Sequence, residues 1–171
     1  MDLVIRTARP EEYRTLGELT AQAYLGDGLL EYGASDPYLA ELRDAARRAA
    51  HTELLVAADA VSDEPVGCVA HVTPGSPYAE LAGAGESEFR MLAVAGPARG
   101  RGAGEALVRA CLDRARQAGL VRVVLSSHPR MTTAHRLYRR LGFVRLPERD
   151  WEPLPGLRLH AFGRELPGPG L

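Results

Sequence analysis

Arg99-Gly100-Arg101-Gly102-Ala103-Gly104 sets three glycines and two guanidinium side chains ahead of a run in which Leu107, Val108, Cys111, Leu112 and Ala115 recur at helical spacing. A glycine inside a helix costs about 1 kcal/mol relative to alanine, and Ser, Thr or Asp would cap the first amides better. Helix stability alone therefore does not select these residues. The stretch follows an apolar strand ending at Val94 and a turn at Gly96-Pro97, so several first-turn amides without an intrahelical acceptor face one point, and such a terminus binds anions. Glycine at 102 and 104 leaves room for a pyrophosphate or for the neighbouring strand, and Arg99 and Arg101 add charge-assisted donors. The plainer reading of the same glycines is an ordinary helix start.

Several chemistries are excluded. The glycines alternate and position 105 is Glu, which departs from the dinucleotide fingerprint. The chain has no lysine and no asparagine, and all its basic side chains are arginine, so Schiff-base and Walker-type lysine chemistry fall away. Cys68 and Cys111 sit in apolar runs without metal-ligand or redox spacing, which predicts buried thiols, no metal and a reducing compartment. A formal charge of −1 over 171 residues lacks the electrostatic footprint of a nucleic-acid binder. No apolar run approaches the ~20 residues of a membrane span, and MDLVIRTARPEEY has no basic-then-apolar leader pattern. A soluble cytoplasmic protein, with neither nucleic acid nor membrane as partner, is the expectation.

Arg99 to Gly104 resembles the R-x-x-G-x-G pattern of the GNAT superfamily of N-acetyltransferases. EFRMLAV (Glu88–Val94) resembles that family's fourth strand, and AHRLYRRLGFVR (Ala134–Arg145) its A-x-x-L-Y-x-x-x-G-F segment. The resemblance implies acetyl-CoA as cosubstrate. Its pyrophosphate would lie over Arg99, Gly100, Arg101, Gly102, Ala103 and Gly104, its pantetheine arm against Leu92, Ala93 and Val94, with a further contact at Ala134. It also implies Tyr138 as the general acid for the departing thiolate and Glu88, six residues before Val94, as the base, directly or through water. Each has a simpler alternative: Tyr138 as a core aromatic beside Leu137 and Leu141, and Glu88 as the ion-pair partner of Arg90. His128, in SSHPR after the fifth strand, is a further base candidate or a loop histidine, whereas His51 and His135 read as surface helix positions.

Met131 stands where many members carry Asn, three residues before the alanine, and removes an amide that would bond pantetheine or acyl chain. The acceptor is an amine of unspecified identity, which the resemblance assigns to segments 22–40, 73–87 and 146–157. Asp27, Glu31 and Asp36 with Tyr24 and Tyr32 make the first of these either an attractor for a cationic amine or a solvated loop. The other class of function is a non-catalytic CoA-binding, sensing or interaction module of the same fold.

The elements that must position these groups follow in order. A strand at 4–8 precedes a helix opened by Pro10 and a second opened by Asp36-Pro37, with Tyr38, Leu42, Ala45, Ala46 and Ala49 on one face. A hairpin spans 53–72 around Ser62-Asp63-Glu64. The strand ending at Val94 and the glycine-headed helix come next. VRVVLS at 121–126 reads as a central strand; after it come a helix at 132–141, the strand GFVRL and a last strand near 157–162. The class is α/β (α+β), and the resemblance implies a central mixed, mostly antiparallel twisted sheet, helices on both faces, splayed between the fourth and fifth strands. One acetyltransferase domain over 1–166 and a frayed tail at 167–171 are expected. Trp151, Leu154, Leu157 and Leu159 exceed what one strand face needs, which makes a homodimer through this segment a further expectation.

Overall fold

The structure, a computed structural model, describes residues 2–167; most of the expected tail, 168–171, lies outside the described residues. Eight strands form a mixed, mostly antiparallel sheet, matching the expected class. By internal packing the chain divides into two compact units, Met1–His71 with Met91–Ala110, and Val72–Arg90 with Cys111–Leu171.

In the first unit β1 (Leu3–Thr7) pairs antiparallel with β2 (Glu53–Asp59), which pairs with β3 (Pro65–Val72) across the expected hairpin. Pro10–Glu12 forms one 3-10 turn ahead of α1 (Tyr13–Gly26). Leu16, Ala45, Leu54, Val56, Ala58 and Cys68 form the core beneath these elements. Gly17 is the point of closest helix approach, since a Cβ there would stand 2.1 Å from the Arg43 carbonyl oxygen.

The helix expected after Asp36-Pro37 is broken into α2 (Tyr38–Arg43) and α3 (Ala45–His51). Asp44 causes the break. Its carboxylate accepts the Arg47 amide at 3.0 Å and caps the second piece, while buried Arg48 donates at 2.8 Å to the carbonyls of Glu41 and Leu42, which end the first. The apolar spacing runs through Asp44 unaltered, and so hid the interruption.

β4 (Glu86–Val94) and α4 (Ala103–Gln117) each begin in one unit and end in the other. In the second unit β4 runs parallel to β5 (Arg122–Ser127) for three residue pairs only, Glu86–Glu88 against Arg122–Val124; the ladder stops there, which is the expected splay. β5 pairs along its whole length with β8 (Leu157–Glu165), and β8 also receives β6 (Val144–Arg145) and β7 (Trp151–Leu154). α5 (Thr132–Arg140) lies between β5 and β6 in sequence. β7 lies in the segment 146–157 expected to join the last two strands and contains Pro153, which is rare inside a sheet; Trp151 anchors it by donating Nε1–H to Ser126 Oγ at 2.9 Å. Among the described residues no helix is long and apolar enough to cross a membrane.

Candidate active site

The first unit holds the glycine-rich turn. Gly100 and Gly102 have φ of +85° and +83°, a backbone conformation that L side chains rarely adopt. A Cβ built on either meets no atom within 4 Å. The expectation that Gly102 makes room for a neighbouring strand is thereby corrected: the backbone conformation selects glycine there, and the space outside is open. Gly102 accepts the Ala106 amide at 3.0 Å, which sets it as the residue before the first helical turn, so Ala103 and Gly104 supply first-turn amides.

Both arginines of the turn are held by carboxylates of the same unit. Arg99 makes a two-pronged pair with Asp27, Nη1 to Oδ1 at 3.0 Å and Nη2 to Oδ2 at 3.1 Å, on the surface. Arg101 donates to Asp59 Oδ2 at 3.0 Å, and its buried Nε has no hydrogen-bond partner among the described residues. In β4, Leu92 and Val94 are half-buried and Ala93 is buried.

Strict alternation would put Glu88, Arg90 and Leu92 on one face. Met91 in this strand takes φ +55°, uncommon for a non-glycine residue and costing about 1–2 kcal/mol, yet burial still alternates through it, with Arg90, Leu92 and Val94 half-buried and Met91 and Ala93 buried. In the second unit Arg90 pairs with Glu80 and donates to the Tyr78 carbonyl at 3.2 Å. Glu88, 1% exposed, directs Oε1 at three successive amides, those of Glu80, Leu81 and Ala82, at 3.0, 2.9 and 3.0 Å.

Tyr138 is buried in an aromatic cluster of the second unit. Its ring centroid lies 5.7 Å from that of Phe89, 5.8 Å from Phe162 and 6.0 Å from Phe143. Burial pushes its phenol well above the ordinary value near 10, with a smaller contribution from Cys111. The phenol therefore stays protonated at any neutral pH. Leu141 is buried nearby in sequence, so the packing also satisfies the core-aromatic alternative.

One turn earlier on α5, His135 is buried and not on the surface as its polar neighbours Thr132, Thr133, Arg136 and Arg139 suggest. Its ring packs 4.9 Å from Phe162, and Nε2 lies 3.0 Å from Ser127 Oγ. Burial first, then the charges of His160 and Arg139, lowers its basicity. Met131 sits beside the same hydroxyl, Ser127 Oγ to Sδ at 3.7 Å, and Ala134 is half-buried on the first turn of α5. His128 accepts the Arg130 amide on Nδ1 at 3.1 Å, a turn-forming contact. Buried His71 pairs with Glu53 in the first unit, and His51 is exposed as expected.

Two arginine–carboxylate clusters brace the second unit. Glu86 takes Arg149 and Arg122 on its carboxylate at 2.8–3.0 Å, and Asp150 takes Arg145 at 2.7 and 2.8 Å. Hydrogen bonds from Arg149 and from Arg145, respectively, pull each carboxyl down to about 2. Both lie below the unfolded values near 4, so their stabilisation is full above pH ~4 and is lost as pH falls towards ~2. Acid unfolding followed by circular dichroism is expected to begin below pH ~4, and Asp150→Asn should flatten that dependence.

Comparison with known proteins identifies the family. A family model described as the acetyltransferase (GNAT) family matches residues 13–143. No curated protein matches the chain in sequence. Among solved structures, a GCN5-related N-acetyltransferase from Kribbella flavida is 27% identical, with 96% of this chain and 98% of that one covered and a TM-score of 0.69. A structure from Corynebacterium glutamicum, described as histone acetyltransferase HPA2 and related acetyltransferase, covers both chains fully at TM-score 0.76 and 22% identity. A phosphinothricin acetyltransferase from Sinorhizobium meliloti, in complex with acetyl-CoA, covers 100% of this chain and 92% of its own at TM-score 0.73 and 20% identity. The two pairs under a quarter identical speak for the fold; the family model spans most of the sequence, and the chain belongs to the acetyltransferase (GNAT) family.

Proposed function

We propose that this acetyltransferase moves an acetyl group from acetyl-CoA to a primary amine by direct attack within a ternary complex. The observation that carries the reading is the helix start at Gly102, where left-handed glycines expose first-turn amides behind Arg99 and Arg101. These groups suit a pyrophosphate, and the acetyl-CoA complex of the Sinorhizobium meliloti relative supports the cosubstrate. Leu92, Ala93 and Val94 offer backbone groups to the pantetheine arm, and Ala134 a small side chain on the first turn of α5. Tyr138, held neutral by burial, gives its proton to the departing thiolate.

The deciding experiment measures thiol release from acetyl-CoA across a panel of n-propylamine, spermidine, phosphinothricin and a lysine peptide, alongside melting with CoA. CoA at a hundred times its dissociation constant should stabilise the fold by about 2.7 kcal/mol. The 3% exposure of Tyr138 favours one competing reading, a module that binds CoA without turnover; a CoA-dependent rise in melting temperature with no thiol release from any amine would establish it.

The Arg99–Asp27 pair yields a second expectation. If Arg99 must leave Asp27 to meet the pyrophosphate, Asp27→Asn removes a competitor, and an exposed pair worth about 0–1 kcal/mol predicts CoA binding up to about fivefold tighter by calorimetry.

A further inference from the structure

We propose that Glu88 is a positioning residue, whose carboxylate pins the Glu80–Ala82 loop to β4 next to the strand residue that packs on Tyr138. Three consecutive amides converging on one carboxylate oxygen form an anion nest closed by the protein's own side chain. Charge-assisted bonds of this kind are roughly twice as strong as neutral ones, and an acceptor 1% exposed has little water to exchange them with. Three donors use up the acceptor capacity of Oε1, so that oxygen serves the loop.

The loop is tied from its other side as well. Arg149, from the short turn before β7, donates Nη2–H to the Leu81 carbonyl at 2.7 Å and also binds Glu86, which in turn accepts the Gly83 amide at 2.8 Å. Arg90 closes the start of the loop through Glu80 and the Tyr78 carbonyl. Residues 78–83 are thus clamped by β4 and by 149, all within one compact unit. Phe89, the next residue along β4, meets the Tyr138 ring edge-on. One short piece of strand therefore holds the loop with one side chain and the phenol with the next.

On the acetyl-transfer reading, from which the catalytic consequence follows, this clamp fixes the loop that meets the acceptor amine relative to the acid. The test compares wild type, Glu88→Gln and Arg149→Met. Amide hydrogen exchange reads the clamp without reference to activity, and steady-state kinetics uses whichever panel amine turns over fastest. In Glu88→Gln the neutral carboxamide should loosen the nest, with exchange at Glu80, Leu81 and Ala82 at least about tenfold faster. The amine KM should rise about tenfold, with kcat and its pH profile within about threefold of wild type. Arg149→Met, which changes no residue of β4 and leaves Glu86 its bonds from Arg122 and the Gly83 amide, should show a smaller change of the same kind and keeps the test open if Glu88→Gln does not fold.

Unchanged exchange at 80–82 in the folded variants overturns the pin. A fall in kcat of about a hundredfold with KM unchanged, strongest at low pH, overturns it in favour of Glu88 as the base. If no panel amine reacts with wild type, the acetyl-transfer reading fails and takes the KM prediction with it, while the exchange result still decides whether Glu88 holds the loop.

Discussion

Tyr138→Phe is expected to lower turnover about 10²-fold while leaving CoA affinity within about twofold of wild type. The phenolic oxygen is the only heavy atom removed, and the ring contacts with Phe89, Phe143 and Phe162 survive. Packing loss is therefore small, and the melting temperature should move by no more than a surface substitution would, within about 0.5 kcal/mol. A pH profile sharpens the test. Burial holds the phenol above its ordinary range, so it remains a proton donor throughout the range in which amines lose theirs. The wild-type rate should rise with pH as the acceptor deprotonates and show no falling limb from Tyr138 below pH ~10. Normal turnover in Tyr138→Phe would return the ring to the core and leave water or the buried Ser127–His135 pair to protonate the thiolate.

What could be read from the sequence separates along a physical line. Strands β1 to β5, the glycine-headed helix and α5 announce themselves because period-two and period-3.6 patterns are local properties of the chain. The split at Asp44 and the strand at Trp151 do not, since each is decided by side-chain or strand pairing that overrides an uninterrupted or unfavourable pattern: Arg48 collecting the carbonyls that end the first helix, and β8 accepting a strand that contains proline. The same holds for the site. Gly100 and Gly102 stood out in the sequence as glycines opening a helix, while the reason for them, a left-handed backbone at φ +85° and +83°, is visible only in the structure. Met91 adopts the same kind of φ with a side chain that gives no hint of it.

His135 shows the limit from another side. Its neighbours on α5 are arginines and threonines, which by composition describe a solvated face, and only Phe162 and Ser127 from the strands beneath turn that position inward. Glu88 was singled out for its chemistry, but its hydrogen bonds run to the backbone of a loop six to eight residues away. Backbone amides leave no signature in sequence. A carboxylate in a cleft-forming strand and a carboxylate serving as a loop anchor look identical until the amides are placed.

Gly102→Val should reduce CoA affinity by about 10²-fold or more, and the structure makes the result interpretable. A side chain at φ +83° strains the backbone, by roughly 1–2 kcal/mol and more for a β-branched residue. A Cβ there meets no atom of the described residues within 4 Å beyond its chain neighbours, so the variant is expected to fold, with a modest fall in melting temperature. Strain alone is measured by Gly119→Val, at φ +74° with the same open surroundings, on the turn after α4 and away from the glycine-rich loop. Both variants should lose comparable stability. Only Gly102→Val should lose CoA, because Gly102 is the residue before the first turn of α4 and its strained backbone displaces the first-turn amides to which a pyrophosphate must come within about 3 Å. Equal, small changes in affinity from the two variants, measured by calorimetry, would show that the left-handed glycines shape the turn without touching the cosubstrate, and the pyrophosphate would have to be sought elsewhere.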